Sequence, residues 1–279
     1  MSGIVLPASG YDIRARHPDR DVFYRLYQER SRNIWKTEKS FADVVYGPTA
    51  RERLDFFPAR GTGKPGPLLV FIHGGFWHSH DKSEFAFVGG PFLAAGISVA
   101  FVNYSLAPKA SIGEMIGQVG RAIEWLIAHA PRLNIDPCRV VAAGHSAGGH
   151  LAASALLSPD APCRNALAGV IAVSGILDLR PLIGDPINAH IGITEADANA
   201  NSPLLQIRTC RVPIMTAVGA METPAFLQQT QAFTDGWRAL NGGPESIVFP
   251  DAHHYSVVLD FADPESELFA AALGFIRGL

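Results

Sequence analysis

The most constraining feature of this sequence is the segment Gly144-His145-Ser146-Ala147-Gly148-Gly149. It follows a short apolar run at 139–143 and leads into small residues that can continue as a helix. A serine flanked by glycines two positions before and two after fits a tight strand-to-helix turn, because side chains at those positions would keep strand and helix apart. A glycine-rich helix start can show the same letters, but the preceding apolar strand favours the turn. The segment therefore predicts a nucleophilic serine at Ser146.

A loop upstream has the features of an oxyanion site. Residues 67–72 read as a buried strand, and a His-Gly-Gly-Phe-Trp loop follows at 73–77. An acyl-transfer site needs backbone N–H donors fixed in advance around the developing oxyanion, and glycines after a strand can supply them. The donors expected are the amides of Gly75, of Gly74 or Phe76, and of Ala147.

A general base is expected from the loop after the last strand. The apolar run 246–250 is followed by two adjacent histidines, His253 and His254, and then Tyr255. This completes the chain order serine, acid, histidine that is typical of the α/β-hydrolase fold. We predict His254 as the base, because the aromatic residue after it can pack behind the ring. His253 is the alternative.

The acid that orients this histidine has two candidates. Glu222 lies just beyond the predicted strand 212–218, from which a carboxylate can reach a histidine on the next loop. Asp178 follows the preceding strand, 167–173, and some hydrolases take the acid from that strand. We predict Glu222. The other interpretation of Glu222 is a solvated carboxylate at a helix N-terminus, and that of Asp178 is a turn or cap residue.

Further side chains are candidates for substrate binding. Phe76, Trp77 and Tyr104 are predicted to form an aromatic wall, and Arg180 is predicted to meet a substrate carboxylate. Ordinary packing for the rings and a solvated charge for the arginine are the competing interpretations. Residues 181–205 contain several prolines and glycines, and we predict a small lid or pocket wall there.

Several histidines crowd the same region, but they do not have metal-ligand spacing. His73, His78, His80 and Asp81 have no second group of ligands elsewhere in the sequence to complete a site, so no metal is expected. His73 is predicted to hydrogen-bond within the oxyanion loop. His145 and His150 are predicted to be packed or hydrogen-bonded core residues.

The succession of elements predicts a mostly parallel, doubly wound α/β sheet with helices on both faces. We expect one domain over residues 1–279, because 48% of the residues are hydrophobic and this is enough to build one large core. The predicted helices cover 83–95, 113–130 and 263–276, with one more after Ser146. The predicted strands cover 41–46, 53–57, 67–72, 97–104, 139–143, 167–173, 212–218 and 245–249, the first two forming an antiparallel entry.

Composition excludes several classes of partner. The formal net charge of −3 and the absence of a Lys/Arg cluster speak against nucleic acid. Residues 1–7 lack the features of a signal peptide, and no apolar run is long enough to span a membrane.

Cys138, Cys163 and Cys210 are too widely spaced for a disulfide framework, so a cytoplasmic protein is expected. No cofactor is expected, and oligomeric state is not predictable from the sequence.

Five segments together resemble the kynurenine formamidase-like branch of the α/β-hydrolase esterases, from about Tyr46 onward. They are 73–77, 81–83, 103–108, 144–149 and 218–226. The resemblance implies a serine hydrolase that cleaves aryl formamides, including N-formylkynurenine, or small carboxylic esters. It matches Ser146 to the nucleophile, His254 to the histidine before an aromatic residue, and Glu222 to the acid, where metazoan formamidases carry aspartate.

The resemblance leaves neighbouring activities open. A general short-chain carboxylesterase shares the His-Gly-Gly-x-Trp pattern, and an acyltransferase would use the same acyl-enzyme with an alcohol in place of water. A non-catalytic ligand receptor of this fold is the least favoured alternative, because such proteins tend to lose the histidine that this chain keeps. The expected partner is a small-molecule ester or amide.

Overall fold

A computed structural model of the chain describes residues 10–61, 63–243 and 246–279. Residues 1–7 and residue 245, to which predictions were attached, lie outside the described ranges. Eight strands form one sheet. They are β1 Phe41–Val45, β2 Arg53–Phe57, β3 Gly66–Ile72, β4 Ser98–Val102, β5 Ile135–His145, β6 Gly169–Val173, β7 Ile214–Gly219 and β8 Ile247–Phe249.

The strand order places the predicted nucleophile and the glycine loop side by side. The order is β1-β2-β4-β3-β5-β6-β7-β8, with β1 and β2 antiparallel at one edge and all pairs from β4 to β8 parallel. The chain runs from β3 to β4 on one side and then returns to place β5 on the other side of β3. This is a topological switch, where ligands of open α/β sheets bind at the carboxyl ends of the strands. The predicted fold class is confirmed.

Helices cover both faces of the sheet. The α-helices are α1 Ile13–Arg16, α2 Arg20–Thr37, α3 Gly89–Ala94, α4 Ile112–Ala128, α5 Ala130–Leu133, α6 Ala147–Leu157, α7 Asn188–Ile191, α8 Glu195–Asn201, α9 Pro224–Asn241, α10 Ser256–Phe261 and α11 Glu267–Arg277. Short 3₁₀ helices span Lys82–Val88, Arg180–Leu182 and Pro203–Gln206.

Alternate residues of the central strands enter two separate cores. In β3, Leu68 and Val70 pack into the core on one face, whereas Leu69 and Phe71 pack into the core on the other. All four are buried. A parallel sheet covered on both faces needs apolar residues at every position, which explains why its strands read as continuous apolar runs.

Several elements differ from the sequence prediction, among them α9, which was not predicted, β5, which is longer, and the predicted helix 83–95, which is a 3₁₀ helix followed by α3. The last helix begins at Glu267 and not near Asp263, because Ser266 caps it by accepting the amides of Leu268 and Phe269. Asp263 instead accepts the amide of Glu265 within the preceding turn. The 18-residue helix α2 was not predicted, since it is mostly polar and few of its side chains are buried.

Candidate active site

Ser146 lies on the turn between β5 and α6. Its backbone has φ 58° and ψ −122°, which lies outside the regions that residues other than glycine usually adopt. Two hydrogen bonds hold the turn: the Ser146 amide donates to the Val173 carbonyl over 2.9 Å, and the His150 amide donates to the Ser146 carbonyl over 3.1 Å. The serine is thereby raised above the carboxyl end of the central strand, as a nucleophile elbow requires.

The glycines around Ser146 are required by the close approach of neighbouring backbone. A Cβ atom on Gly144 would lie 2.2 Å from the Gly148 carbonyl oxygen, and one on Gly148 would lie 2.0 Å from the Ile72 carbonyl oxygen. Real Cβ atoms do not approach oxygen so closely. The pattern of glycines therefore lets α6 start directly against β3 and β5.

The glycine loop after β3 packs against the serine. A Cβ atom on Gly74 would lie 3.1 Å from the Cβ of Ser146. Gly75 has φ 111°, and its carbonyl accepts the amides of His78 and Ser79, each over 3.1 Å. Within the described ranges, the amides of Gly74, Gly75, Phe76 and Ala147 donate to no protein acceptor. These N–H groups belong to the glycine loop and to the residue after Ser146, and they are of the kind that an oxyanion would need as donors.

Trp77 and Tyr104 support this loop from the core, and the prediction that they form a substrate wall is corrected. Both rings are completely buried. The Trp77 indole donates to Nδ1 of His150 over 3.3 Å, and the Tyr104 hydroxyl donates to the His73 carbonyl over 2.9 Å. Because Phe76 and Trp77 both have positive φ, the loop turns sharply there and only Phe76 reaches the pocket.

His73 stacks on Tyr104 with ring centroids 4.6 Å apart, and its Nδ1 lies 2.8 Å from the Gly74 carbonyl oxygen. Burial lowers the pKa of His73 to about 4, so the ring is neutral at physiological pH. Burial lowers the pKa of His150 to about 4 as well. Both histidines are therefore hydrogen-bonding parts of the core that brace the loop.

His254 is oriented by Glu222. Nδ1 of His254 lies 2.6 Å from Oε2 of Glu222, and both side chains are almost completely buried. The other carboxylate oxygen accepts the Ser174 hydroxyl and, over 3.1 Å, the Gly219 amide. A carboxylate with this many donors is fixed in place, so it fixes the imidazole with Nδ1 protonated and Nε2 free to act as a base.

Two rings flank His254. The centroids of His145 and Phe226 each lie 4.5 Å from that of His254. Burial, followed by the charge of His254, holds the pKa of His145 well below its usual range. His145 consequently stays neutral beside the base and adds no competing positive charge.

Asp178 and Arg180 are paired with each other. The Arg180 guanidinium donates to both carboxylate oxygens of Asp178, over 2.9 and 2.8 Å. Neither side chain lines the pocket that contains Ser146 and His254. The prediction that Arg180 meets a substrate carboxylate is therefore corrected. Asp178 is a turn residue, as the other interpretation of it had it, because its carboxylate accepts the Arg180 amide.

His253 is turned away from the pocket. Its ring stacks on His17 with centroids 4.4 Å apart, and its Nδ1 accepts the Tyr255 amide over 3.1 Å. The adjacent His254 lines the pocket with Ser146. Of the two neighbouring histidines, only His254 shares a pocket with Ser146.

The N-terminal helices form one wall of this pocket, which the sequence analysis missed. The pocket has a volume of about 30 Å³, enough for about two water molecules. Besides the loop and the histidines, it is lined by Ile13, Arg14, Tyr24 and Tyr27. The Tyr27 hydroxyl donates to the Tyr255 carbonyl, which ties α2 to the histidine loop. The space beside the nucleophile is therefore small.

A second cavity of about 180 Å³ adjoins the first, and Arg14 and Phe76 line both. Its other lining residues are Tyr11, Asp12, Asp185, Pro186, Ile187 and His190. Four of these come from the region 181–205, for which a lid or pocket wall was predicted. The Arg14 guanidinium makes no ion pair or hydrogen bond to any residue that the structure describes.

The described residues form neither a metal site nor a membrane-spanning helix. Among the residues described, no three His, Cys, Asp or Glu side chains converge to hold a metal ion. His78 stacks on His190 at 5.2 Å, and Asp81 caps the 3₁₀ helix at Lys82–Val88. Over the same described ranges, no helix combines the length and apolarity needed to cross a bilayer.

Comparison with known proteins agrees with the geometry. The BD-FAE family model matches residues 54–206, more than half of the chain. Kynurenine formamidase of Danio rerio is 30% identical over 251 residues, covering 84% of this chain and 80% of that protein. The Drosophila melanogaster enzyme of the same name is 24% identical over 88% of this chain and 85% of its own length.

Two solved structures have the same fold as this chain. A protein from Silicibacter sp. TM1040, provisionally assigned as a thioesterase, superposes with a TM-score of 0.82 at 29% identity, covering 96% of this chain and 97% of the other. Thermogutta terrifontis esterase 2 gives a TM-score of 0.69 at 21% identity, with coverage of 86% and 92%. The chain therefore belongs to the BD-FAE family and to the kynurenine formamidase-like branch of the α/β-hydrolases.

Proposed function

We propose that this hydrolase cleaves aryl formamides and short-chain esters through an acyl-enzyme formed on Ser146. The observation that carries the proposal is the buried pair of Glu222 and His254 in one pocket with a serine raised on a strained turn. A serine becomes nucleophilic at neutral pH only when a neighbouring base takes its proton. His254 is the base that this pocket offers.

The proposed mechanism has two steps. His254 accepts the Ser146 hydroxyl proton as the oxygen attacks the carbonyl carbon, and the amides of Gly75, Phe76 and Ala147 receive the oxyanion. His254 then gives the proton to the leaving nitrogen or oxygen, and the acyl group stays on Ser146. Water then attacks the acyl carbon and gives a proton to His254, which passes it to the Ser146 oxygen as the acid leaves, so that both residues return to their starting state. Glu222 holds the imidazole throughout and stabilises its positive charge.

The dimensions of the site support small acyl groups. The cavity beside Ser146 has only about 30 Å³, whereas the adjoining cavity, past Phe76, has about 180 Å³. We assign the acyl group to the small cavity and the leaving group to the large one. A formyl or acetyl group fits this division, and so does an aromatic leaving group.

The substrate proposed first is N-formylkynurenine, in line with the relatives named kynurenine formamidase. Its leaving group is an aromatic amine that bears a carboxylate. Arg14 lines the large cavity and takes the role that the sequence analysis gave to Arg180, because Arg180 is paired with Asp178. Esterase activity on simple aryl esters remains the second candidate, since the same machinery serves both bonds.

Labelling with a fluorophosphonate reagent tests the serine mechanism. We expect one adduct on the protein, located at Ser146, and Ser146→Ala should lose both the adduct and all turnover. Ser79→Ala is the matched control, because Ser79 lines the same pocket but donates its hydroxyl to the Gly75 carbonyl. Labelling of Ser146→Ala to the same extent as the parent protein would contradict the proposal.

We also infer that the protein works in a reducing compartment such as the cytoplasm. Cys138, Cys163 and Cys210 are all unpaired, and Cys138 is exposed. Exposed free thiols are avoided where disulfides form readily. Fractionation of cells that express the protein checks this inference, and recovery only from an oxidising compartment would contradict it.

A further inference from the structure

One histidine of the same pocket has no part in the mechanism above. His80 lines the pocket together with Ser146, His145 and His254. Its ring lies against the oxyanion loop: a Cβ atom on Gly75 would be 2.8 Å from Cδ2 of His80, the carbon bonded to Nε2. One edge of the His80 ring is therefore packed against this loop, and the ring lines the pocket of Ser146.

Glu84 orients this imidazole. Nδ1 of His80 lies 3.0 Å from Oε2 of Glu84, and the other oxygen of Glu84 accepts the Asp81 amide over 3.0 Å. Burial would raise the pKa of Glu84, but the hydrogen bonds from His80 and from the Asp81 amide outweigh it and lower the pKa. An ionised carboxylate only accepts, so Nδ1 carries the proton.

The opposite nitrogen is left free. In the neutral ring with Nδ1 protonated, Nε2 has a lone pair and acts as an acceptor. No residue in the described part of the chain forms a hydrogen bond with Nε2 of His80. Tyr24 packs on the ring with centroids 4.7 Å apart and limits its rotation. The acceptor thus has a fixed direction.

The backbone holds His80 in an unfavourable conformation to achieve this. His80 has φ 77°, in the left-handed region that glycine adopts most readily. The Arg51 guanidinium donates to the His80 carbonyl over 2.9 Å and also to the Asn103 side chain over 3.1 Å. A histidine kept in such a conformation by surrounding contacts is a feature that recurs at functional sites.

We propose that His80, oriented by Glu84, accepts a hydrogen bond from the N–H of the scissile amide and so favours formamides over esters. The inference rests on the proposed serine mechanism and names the substrate feature that the site selects. During attack, the amide nitrogen loses conjugation with the carbonyl, and its lone pair must face His254 to receive the proton. An acceptor for the remaining N–H holds the nitrogen in that orientation. An ester has no N–H, so its hydrolysis is not assisted by a hydrogen bond to His80.

A matched pair of substrates tests this. Formanilide and phenyl formate share the acyl group and the ring and differ only in N–H against O. We expect His80→Gly to lower kcat/KM for formanilide by tenfold or more and to change that for phenyl formate, corrected for spontaneous hydrolysis, by less than twofold. Glycine suits the left-handed backbone at this position, so the variant is expected to fold.

A second variant acts on the tautomer alone. Glu84→Gln keeps the length needed to cap the helix, but its amide can donate to Nδ1, which moves the proton of His80 to Nε2 and removes the acceptor. The same selective loss on formanilide is expected. His78→Gln is the control, because His78 belongs to the same loop but stacks on His190 outside the Ser146 pocket, and the ratio of the two rates should not change.

The outcomes separate this inference from the serine mechanism. Equal losses on both substrates in His80→Gly, an unchanged rate on formanilide, or a parent protein that hydrolyses only the ester would overturn the role of His80 and leave the serine mechanism standing. Undiminished turnover of either substrate by Ser146→Ala would overturn the serine mechanism instead.

Discussion

Three residues of the pocket have backbones in conformations that are usually unfavourable. Ser146, Phe76 and His80 all have positive φ, which costs on the order of 1–3 kcal/mol for each such residue. Folding of the surrounding sheet and loops offsets this cost. The reactive groups are thereby presented in one geometry, and little reorganisation is left for the transition state.

Replacing the acid tests the orientation of His254. Glu222→Gln removes the charge that holds the imidazole and should reduce kcat by a factor on the order of 10⁴, with little change in thermal midpoint. Asp178→Asn is the matched control and should change kcat only mildly, because Asp178 pairs with Arg180. Initial rates of both variants on one ester measure the effect. A large loss of kcat in Asp178→Asn with near-normal kcat in Glu222→Gln would contradict the assignment of Glu222 as the acid.

Acyl length tests the role of Phe76. The parent protein should hydrolyse formyl and acetyl esters faster than octanoyl esters, since the cavity beside Ser146 is small and Phe76 closes it. Phe76→Ala should raise the octanoyl-to-acetyl ratio of kcat/KM at least tenfold while keeping the backbone amide. Faster hydrolysis of octanoyl than of acetyl esters by the parent protein would count against this prediction.

Local pattern singled out Ser146, His254 and Glu222 as candidates, because each follows a strand at the same edge of the sheet. The structure brings Ser146 and His254 into one pocket and pairs His254 with Glu222. Local pattern was not enough to tell that Phe76 faces the pocket while Trp77 faces the core. That difference depends on two positive φ values in succession, which the letters do not reveal.

Among the elements, α6 approaches the central strands closely at Gly148. Gly148→Ala should destabilise the protein by roughly 3 kcal/mol, because the new Cβ meets the Ile72 carbonyl oxygen. Gly274→Ala in α11 is the matched control: no atom lies within 4 Å of its Cβ, so it should be stabilising by about 0.5–1 kcal/mol. Urea unfolding of both variants checks the prediction, and equal stabilities would refute it.

Helix α2 shows where element prediction from sequence fails. The strands were predicted to within a few residues, except β5, since a sheet covered on both faces needs continuous apolar runs. Only Tyr27 and Ser31 of α2 are buried, while Phe23, Tyr24, Ile34 and Trp35 pack on the cores and stay partly exposed. This apolar stripe is set among many charged residues, and the pocket wall that includes Tyr24 was missed for this reason.

The whole molecule encloses several neutral histidines, which makes its stability depend on pH. The pKa values of His73 and His150 fall from 6.5 to about 4 on folding, through burial. Because the unfolded chain binds protons more tightly, stability is full above pH 6.5 and declines as pH falls towards 4. Each ring contributes up to about 1.4 kcal/mol per pH unit within that window.

Unfolding free energies between pH 7 and 4.5 measure this dependence. The parent protein should lose stability steadily on acidification. His150→Gln removes one titrating ring and should flatten the slope, although it costs some stability at pH 7 through the lost acceptor for Trp77. An identical slope in the two proteins would show that His150 does not contribute.

The contacts between α2 and the histidine loop have a consequence for biosynthesis. Tyr27 bonds to the carbonyl of Tyr255, and Phe23 packs on His253 with ring centroids 4.7 Å apart, across more than two hundred residues of sequence. When the ribosome has translated the glycine loop and the turn at Ser146, it has not yet translated His254. Ser31 and Tyr27 can pack early on the 3₁₀ helix at Lys82–Val88, whereas the part of α2 that meets the histidine loop must wait for residues 253–255, which follow the last strand.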